Sequence, residues 1–325
     1  KTIEQEKLNN RVADLDVATS ENDIEQSIAQ VYIQILYAAE SVKVNENTLQ
    51  VSEAQRDRGK QLLDAGSIAR SDYAQLEAQV STDRYQLVTA QATLQDYKLQ
   101  LKQLLELDGE QEMQVYLPAL GDENVLSPLP TKTDVFRSAL RPEIEASKLS
   151  VEASELGIGI AKSGYLPSVS LTAGIGTNHT SGSDFTFGEQ VKNGWNNSIG
   201  LSISVPIFNN RQTKSAVEKA KLQYQTSQLT LLDEQKTLYK TIEGLWLDAN
   251  SAQQRYAAAI EKLHSTQTSY ELVSEQFNAG MKNTVELLTE KNNLLQAQQE
   301  LLQSKYMAIL NTQLLKFYQG DKITL

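Results

Sequence analysis

Residues 58–79, RGKQLLDAGSIARSDYAQLEAQ, and residues 269–292, SYELVSEQFNAGMKNTVELLTEKN, decide the fold when one is laid on the other. Ala65-Gly66 then falls on Ala279-Gly280, an offset of 214 residues. Identity between the two is low, so the test is whether hydrophobic register survives on both sides of the match. In the later copy Ile242, Ala249, Tyr256, Leu263, Tyr270 and Phe277 fall seven apart, with Leu245, Ala252, Ala259, Thr266 and Val273 as a companion row. This is a heptad seam. The offset carries the first row onto Ile28, Ile35, Val42, Leu49, Arg56 and Leu63, again mostly apolar. Beyond the turns, Tyr73, Val80, Leu87, Leu94 and Leu101 match Leu287, Leu294, Leu301, Ala308 and Leu315. The spacing predicts two helical hairpins of one design, an internal repeat. A chance match between low-complexity helices does not easily keep register on both sides of both turns.

Helix ends are marked by residue chemistry. Gly66 and Gly280 supply the positive-φ residue that stops a helix. Ser71-Asp72 and Thr284 are the expected N-caps of the return helices. A helix is expected from about Thr133-Asp134 to Gly164 and Pro167, and the stretch from Asp108 to Lys132, with Pro118, Pro128 and Pro130, reads as a non-helical connector. Helices 1–64 and 211–278 would each be roughly 95–100 Å long, and helices 71–105 and 134–162 roughly 50 and 45 Å. The two short helices, end to end, cover one long one. Helix 284–319 lacks such a stacking partner, which by the repeat would lie before Lys1. The chain opens without Met, and a processed or truncated start is expected.

Composition agrees with long polar helices. Aromatic residues are 6% of the 325, Pro is found 6 times, and charged residues alternate in sign along the helices. The net charge of −11 disfavours a nucleic-acid surface. With no cysteine, disulfides, thiolate chemistry and Cys-ligated zinc are excluded. No run of 18 apolar residues exists that could form a transmembrane helix.

One region departs from the helical period. In residues 168–176, Val169, Leu171, Ala173 and Ile175 alternate with small or polar residues. In residues 198–205 the apolar row is Ile199, Leu201, Ile203 and Val205. Alternation with period two marks strands with two different environments. A Gly-, Ser- and Asn-rich loop from Thr177 to Gly194 is expected between them. An amphipathic hairpin on a soluble core and a piece of a transmembrane β-barrel both fit this pattern. Strand length suits the about 9–11 residues of a membrane crossing. Tyr165, Trp195 and Phe208 stand at strand ends, where interfacial aromatics belong, and no other segment reads as a partner strand. A two-stranded sheet leaves open edges that lipid forbids, so the barrel reading requires oligomerisation. By the repeat, a first hairpin would precede Lys1.

Two Gly-tipped α-hairpins, the entry Tyr165-Leu166-Pro167 and the exit Val205-Pro206-Ile207-Phe208-Asn209 together resemble the TolC-type outer-membrane efflux proteins, and the resemblance covers the whole chain. It implies a mainly α fold with a transmembrane β-hairpin. Long antiparallel coiled-coil helices would form an α-barrel continuous with an outer-membrane β-barrel, with 12 strands from a homotrimer. The implied layout is a first-repeat helical hairpin at 1–105, an equatorial connector at 106–133 and a helix leading to the barrel at 134–164. The transmembrane hairpin with its extracellular loop follows at 165–208, the second-repeat helical hairpin at 209–319 and a C-terminal tail at 320–325. Lipid-facing strand residues would be Val169, Leu171, Ile175, Ile199, Leu201, Ile203 and Val205. The resemblance also implies a passive export duct in the outer membrane of a Gram-negative bacterium, with a long periplasmic portion that meets an adaptor (membrane fusion) protein and an inner-membrane pump. It puts a periplasmic gate at Ser71, Asp72, Phe277 and Lys282, an acidic aperture at Glu286 and Glu290, and adaptor contacts at Ala65, Gly66, Ala279 and Gly280. A Lys282 to Ser71 contact is available. The family's tyrosine-to-aspartate bond is not, because Phe277 has no hydroxyl.

Catalysis finds little support. His179 and His264 lack metal-ligand spacing, and the Gly157–Gly164 cluster ends a helix instead of opening one. No enzyme, cofactor or metal is expected. The alternative class is a structural coiled-coil rod or fibre protein of the envelope, which would need neither the alternating hairpin nor the duplication.

Overall fold

The computed structural model describes residues 1–108, 113–118, 125–126, 128–138, 141–182 and 184–323. Among them the element order is α1 (Thr2–Asp64), α2 (Arg70–Leu104), α3 (Lys132–Ser138), α4 (Pro142–Ser163), β1 (Ser168–Gly176), α5 (Phe187–Asn193), β2 (Asn196–Ser204), α6 (Gln212–Asn278) and α7 (Thr284–Gln319). The chain divides into two compact units. One holds 1–16 and 143–234, the other 17–142 and 235–325.

In the larger unit the heptad positions become the core. Ile35, Val42, Ile242, Ala249, Tyr256, Phe277, Leu287, Ala308 and Leu315 are all buried. Ile33, Leu36, Val125, Ala252, Tyr256, Tyr306, Ala308 and Ile309 form one cluster. Each fully buried aliphatic side chain there is worth about 1.5–3 kcal/mol of transfer free energy. Val125 belongs to the connector, which is strapped to the helices through its backbone. Trp246 Nε1 donates to Pro130 O at 2.9 Å, Gln253 Nε2 to Val125 O at 2.9 Å, and the Tyr32 hydroxyl to Tyr116 O at 2.7 Å. Lys132 pairs with Glu243 at 2.9 Å and lies over the Trp246 ring. Parts of the expected connector, residues 109–112, 119–124 and 127, lie outside the described residues, as do 324–325 of the tail.

The expectation of one helix across 134–164 is corrected to two, α3 and α4. Pro142 has no N–H to donate and disfavours helical backbone at Arg141, so a new helix starts with Pro142 in its first turn.

In the smaller unit α4 packs on the start of α1. Gln5 Nε2 donates to Ala153 O at 2.8 Å, and Arg11 reaches Glu145 at 3.6 Å. At the root of the β-hairpin, Thr213 donates to Gly164 O at 3.3 Å and accepts from the Asn209 side chain. Asn210 and Arg211 both hold positive φ, 50° and 63°, in the chain reversal into α6. The strands pair antiparallel with each other, and among the described residues the sheet has no third strand. The expected loop 177–194 holds a helix, α5. Glu189 accepts from the Thr186 backbone N–H at 2.9 Å and from its hydroxyl at 2.8 Å. This is the reach-back of a T-x-x-E capping box, and it starts a turn of helix in a polar segment.

Candidate functional site

Two regions carry the expected functional residues, the sheet and the pair of Gly turns. In the sheet, register places Val169 opposite Ile203, Leu171 opposite Leu201 and Ala173 opposite Ile199. The alternate pairs are Ser168–Ser204, Ser170–Ser202, Thr172–Gly200 and Gly174–Ser198. Side chains of directly opposed residues share a face, so one face is apolar and the other is hydroxyl and glycine. Ile175 continues the apolar row, opposite Asn197. Val205, expected in the strand row, lies past the end of β2 at Ser204. All of these side chains are exposed, as are Tyr165, Trp195, Ile207 and Phe208 at the strand ends.

The two turns share one backbone pattern. Gly66 (φ 72°) donates its N–H to Leu63 O, and Ser67 donates to Leu62 O. Gly280 (φ 74°) donates to Phe277 O, and Met281 donates to Gln276 O. Each pair is the double bond of a Schellman stop, and its left-handed residue favours glycine. Behind the first turn, Gly59 permits close approach of α1 and α2, since a Cβ there would lie 2.3 Å from Leu76 Cδ1.

The return helices start differently, and both expected caps are corrected. The N-cap of α2 is Ala69, with no side-chain acceptor, and only the Asp72 carboxylate reaches back to its N–H, at 3.2 Å. Ser71 and Asp72 therefore lie inside the first turn. The N-cap of α7 is Asn283, one residue before Thr284. Its Oδ1 accepts from Glu286 N at 2.9 Å, while Glu286 accepts from Asn283 N at 3.1 Å. Asparagine wins because its short side-chain carbonyl reaches the free N–H groups of the first turn.

Of the expected gate residues, Lys282, just before the N-cap of α7, forms an ion pair with Glu286, four residues on. The hydrogen bond from Lys282, with that from Asn283 N–H, holds the Glu286 carboxyl below its ordinary range. Glu290 accepts from Ser269 Oγ at 2.9 Å. Phe277 is buried, whereas Ser71, Ala65, Gly66, Ala279 and Gly280 are exposed.

Sequence reasoning missed a buried charged cluster. Lys291 of α7 donates to Asp83 of α2 and to Ser52 of α1, Ser52 donates to Asp83, and Gln79 Nε2 donates to the other Asp83 oxygen at 2.9 Å. Lys291, Asp83 and Ser52 are all 3% exposed or less. Burial pushes the Lys291 ammonium pKa down, against the opposing pull of Asp83. A signal was present, because Lys291 lies four residues after Leu287 and three before Leu294, on the apolar stripe itself.

Among the described residues no group of His, Asp or Glu is placed to hold a metal ion, and no helix is long and apolar enough to cross a membrane.

A family model described as outer membrane efflux protein matches residues 138–320. Outer membrane protein TolC of Escherichia coli (strain K12) is 25% identical over 315 residues, covering 92% of this chain and 62% of its own. Outer membrane efflux protein BepC of Brucella suis biovar 1 is 24% identical over 290 residues, covering 89% and 61%. The alkaline protease secretion protein AprF of Pseudomonas aeruginosa is 22% identical, covering 90% and 60%. The chain thus spans about three fifths of the length of these curated relatives. Among solved structures, the outer-membrane channel OprN superposes with a TM-score of 0.81 at 18% identity, over 98% of this chain and 70% of that one. The CmeC outer membrane channel of Campylobacter jejuni gives 0.80 at 20%, over 99% and 68%. At these identities the structural likeness speaks for the fold alone.

Proposed function

The chain belongs to the outer membrane efflux protein family, and from that membership we propose that it is one subunit of a passive outer-membrane export duct. The observation that carries this reading is the sheet. Its apolar residues pair in register on one face, and they remain exposed. A soluble rod has no use for such a face. Lipid does, provided that the edges are closed by other strands. Three copies, each adding a second hairpin by the repeat, would close a 12-stranded barrel. The same Schellman stop at Gly66 and Gly280 supports that duplication. On this reading 165–208 is the hairpin of the barrel, and 1–105 and 209–319 are the helical hairpins of a periplasmic tunnel. The segment 106–133 is its connector, 134–164 leads to the barrel, and 320–325 is the tail.

The duct performs no chemistry. Lys282, Asp72, Ser71 and Phe277 shape its periplasmic mouth, Glu286 and Glu290 set the charge there, and Ala65-Gly66 and Ala279-Gly280 meet a periplasmic adaptor. An inner-membrane pump drives the substrate, whether a small molecule or a protein, so the duct itself is unselective. The test is the whole protein in detergent and in planar bilayers. A trimer by light scattering with stepwise ion conductance is expected. A stable dimer, or a folded trimer that never conducts, overturns the reading.

A further inference from the structure

We infer that Ser52, Asp83 and Lys291 form a buried charged lock that ties the two helical hairpins together above their turns and sets how far those turns separate. Its bearing on passage through the mouth rests on the duct reading.

The lock joins three helices. Ser52 lies on α1 and Asp83 on α2, so their bond closes the first hairpin; Lys291 lies on α7 and carries the charge of the second hairpin into the first. The flanking links are weaker. Gln79 Nε2 meets Asn292 Oδ1 at 3.5 Å between α2 and α7, and Gln55 Nε2 donates to the Tyr270 hydroxyl at 2.7 Å between α1 and α6. Of these links between the hairpins, only Lys291–Asp83 joins two charged groups that are both buried.

The charges are not needed to close a hairpin of this kind. At the positions 214 residues on from Ser52 and Asp83 stand Thr266 and Ala297, and Ala297 is 0% exposed in apolar packing. At the position 214 residues before Lys291 stands Glu77, which is exposed. The cluster therefore breaks the equivalence of the two halves, and it does so where one half meets the other. Apolar side chains would fill the same space but tolerate sliding. A buried ion pair with hydrogen bonds to a hydroxyl and an amide accepts one register, at a cost in desolvation. Each charge is deprived of water, so a movement of α7 away from α2 must either keep the pair or leave a bare charge inside the protein.

The burial that makes the cluster a lock also excludes the competing reading. A serine beside a lysine is a nucleophile with its base in some hydrolases. Here Ser52 is 2% exposed and already bonded to both partners, so no substrate can reach it.

The test uses the absence of cysteine. Ser67→Cys and Met281→Cys, one exposed position in each turn, take spin labels, and the labelled chain is diluted with unlabelled chain so that each assembly reports one intramolecular distance. The informative variant is Asp83→Leu with Lys291→Met, which removes both charges and leaves neither bare. It is expected to unfold at or above the wild-type temperature, yet to show a longer and broader label distance. Ser52→Ala, which keeps the ion pair, is expected to fall between the two. A folded double variant with the wild-type distribution overturns the lock. Conductance is read separately. Labels that spread in a protein that never conducts refute the duct and keep the lock; conductance that changes while the label distance does not refutes the lock and keeps the duct.

Discussion

Leu171 stands opposite Leu201 in the antiparallel pair, and the two side chains are 73% and 68% exposed. Apolar residues paired on an uncovered face imply a covering that is itself apolar. Leu171→Arg or Leu201→Arg is expected to cost about 2–4 kcal/mol of membrane stability if the pair lies near the bilayer midplane. Ser170→Asp and Ser202→Asp, on the opposite face, are expected to insert normally. Folding into liposomes, followed by urea titration, reads both. Equal tolerance on the two faces returns the hairpin to a soluble role.

At the second turn, charge reversal with Glu286→Lys and Glu290→Lys is expected to lower cation conductance in planar bilayers. Lys282→Ala is expected to raise open conductance or to weaken export through poorer adaptor docking. Wild-type conductance and export in both would make these residues plain helix surface.

Acid should act on the same turn. The Glu286 carboxyl is held low by Lys282 and by Asn283 N–H. A carboxyl with a depressed folded pKa adds stability above its unfolded pKa and loses it as pH falls through the folded value. The start of α7 is therefore expected to loosen in acid and tighten toward neutral pH. Hydrogen exchange at the amides of 284–287, corrected for intrinsic rate, is the measurement. Glu286→Gln should flatten the profile; an equally pH-dependent variant would assign the effect elsewhere.

Core and surface of α7 should part clearly. Leu287 is 0% exposed and Val285 is 57% exposed, two residues away. Leu287→Ala is expected to destabilise by about 2–5 kcal/mol, while Val285→Ala should stay within about 0.5 kcal/mol. Thermal unfolding of the whole protein distinguishes them, and similar losses at both positions would contradict the described packing.

Periodicity made most of the helices legible. The heptad rows ending at Leu63 and Phe277 and resuming at Tyr73 and Leu287 put the ends of α1, α2, α6 and α7 within a residue or so of where they lie. Both strands were readable because alternation has no helical competitor there. The start of α4 was not read, because helical residues on both sides of Pro142 hid a break that depends on a missing N–H. Capping was misplaced by one or two residues, since Ser71 and Thr284 are good caps in general but sit just inside the helix in this chain. Lys291 escaped notice among many lysines, because sequence places it on a stripe but cannot supply the Asp83 that neutralises it.

The unequal caps of the return helices have a mechanical consequence. Asn283 and Glu286 satisfy each other's backbone donors, whereas Ala69 has no side-chain acceptor and meets the first turn of α2 through its carbonyl alone. An Ala in place of a good capping residue costs a helix about 0.5–2 kcal/mol. Under any load applied at the turns, the first winding of α2 should therefore peel before that of α7. Anything that gripped both turns of this chain would meet one stiff fingertip and one compliant one.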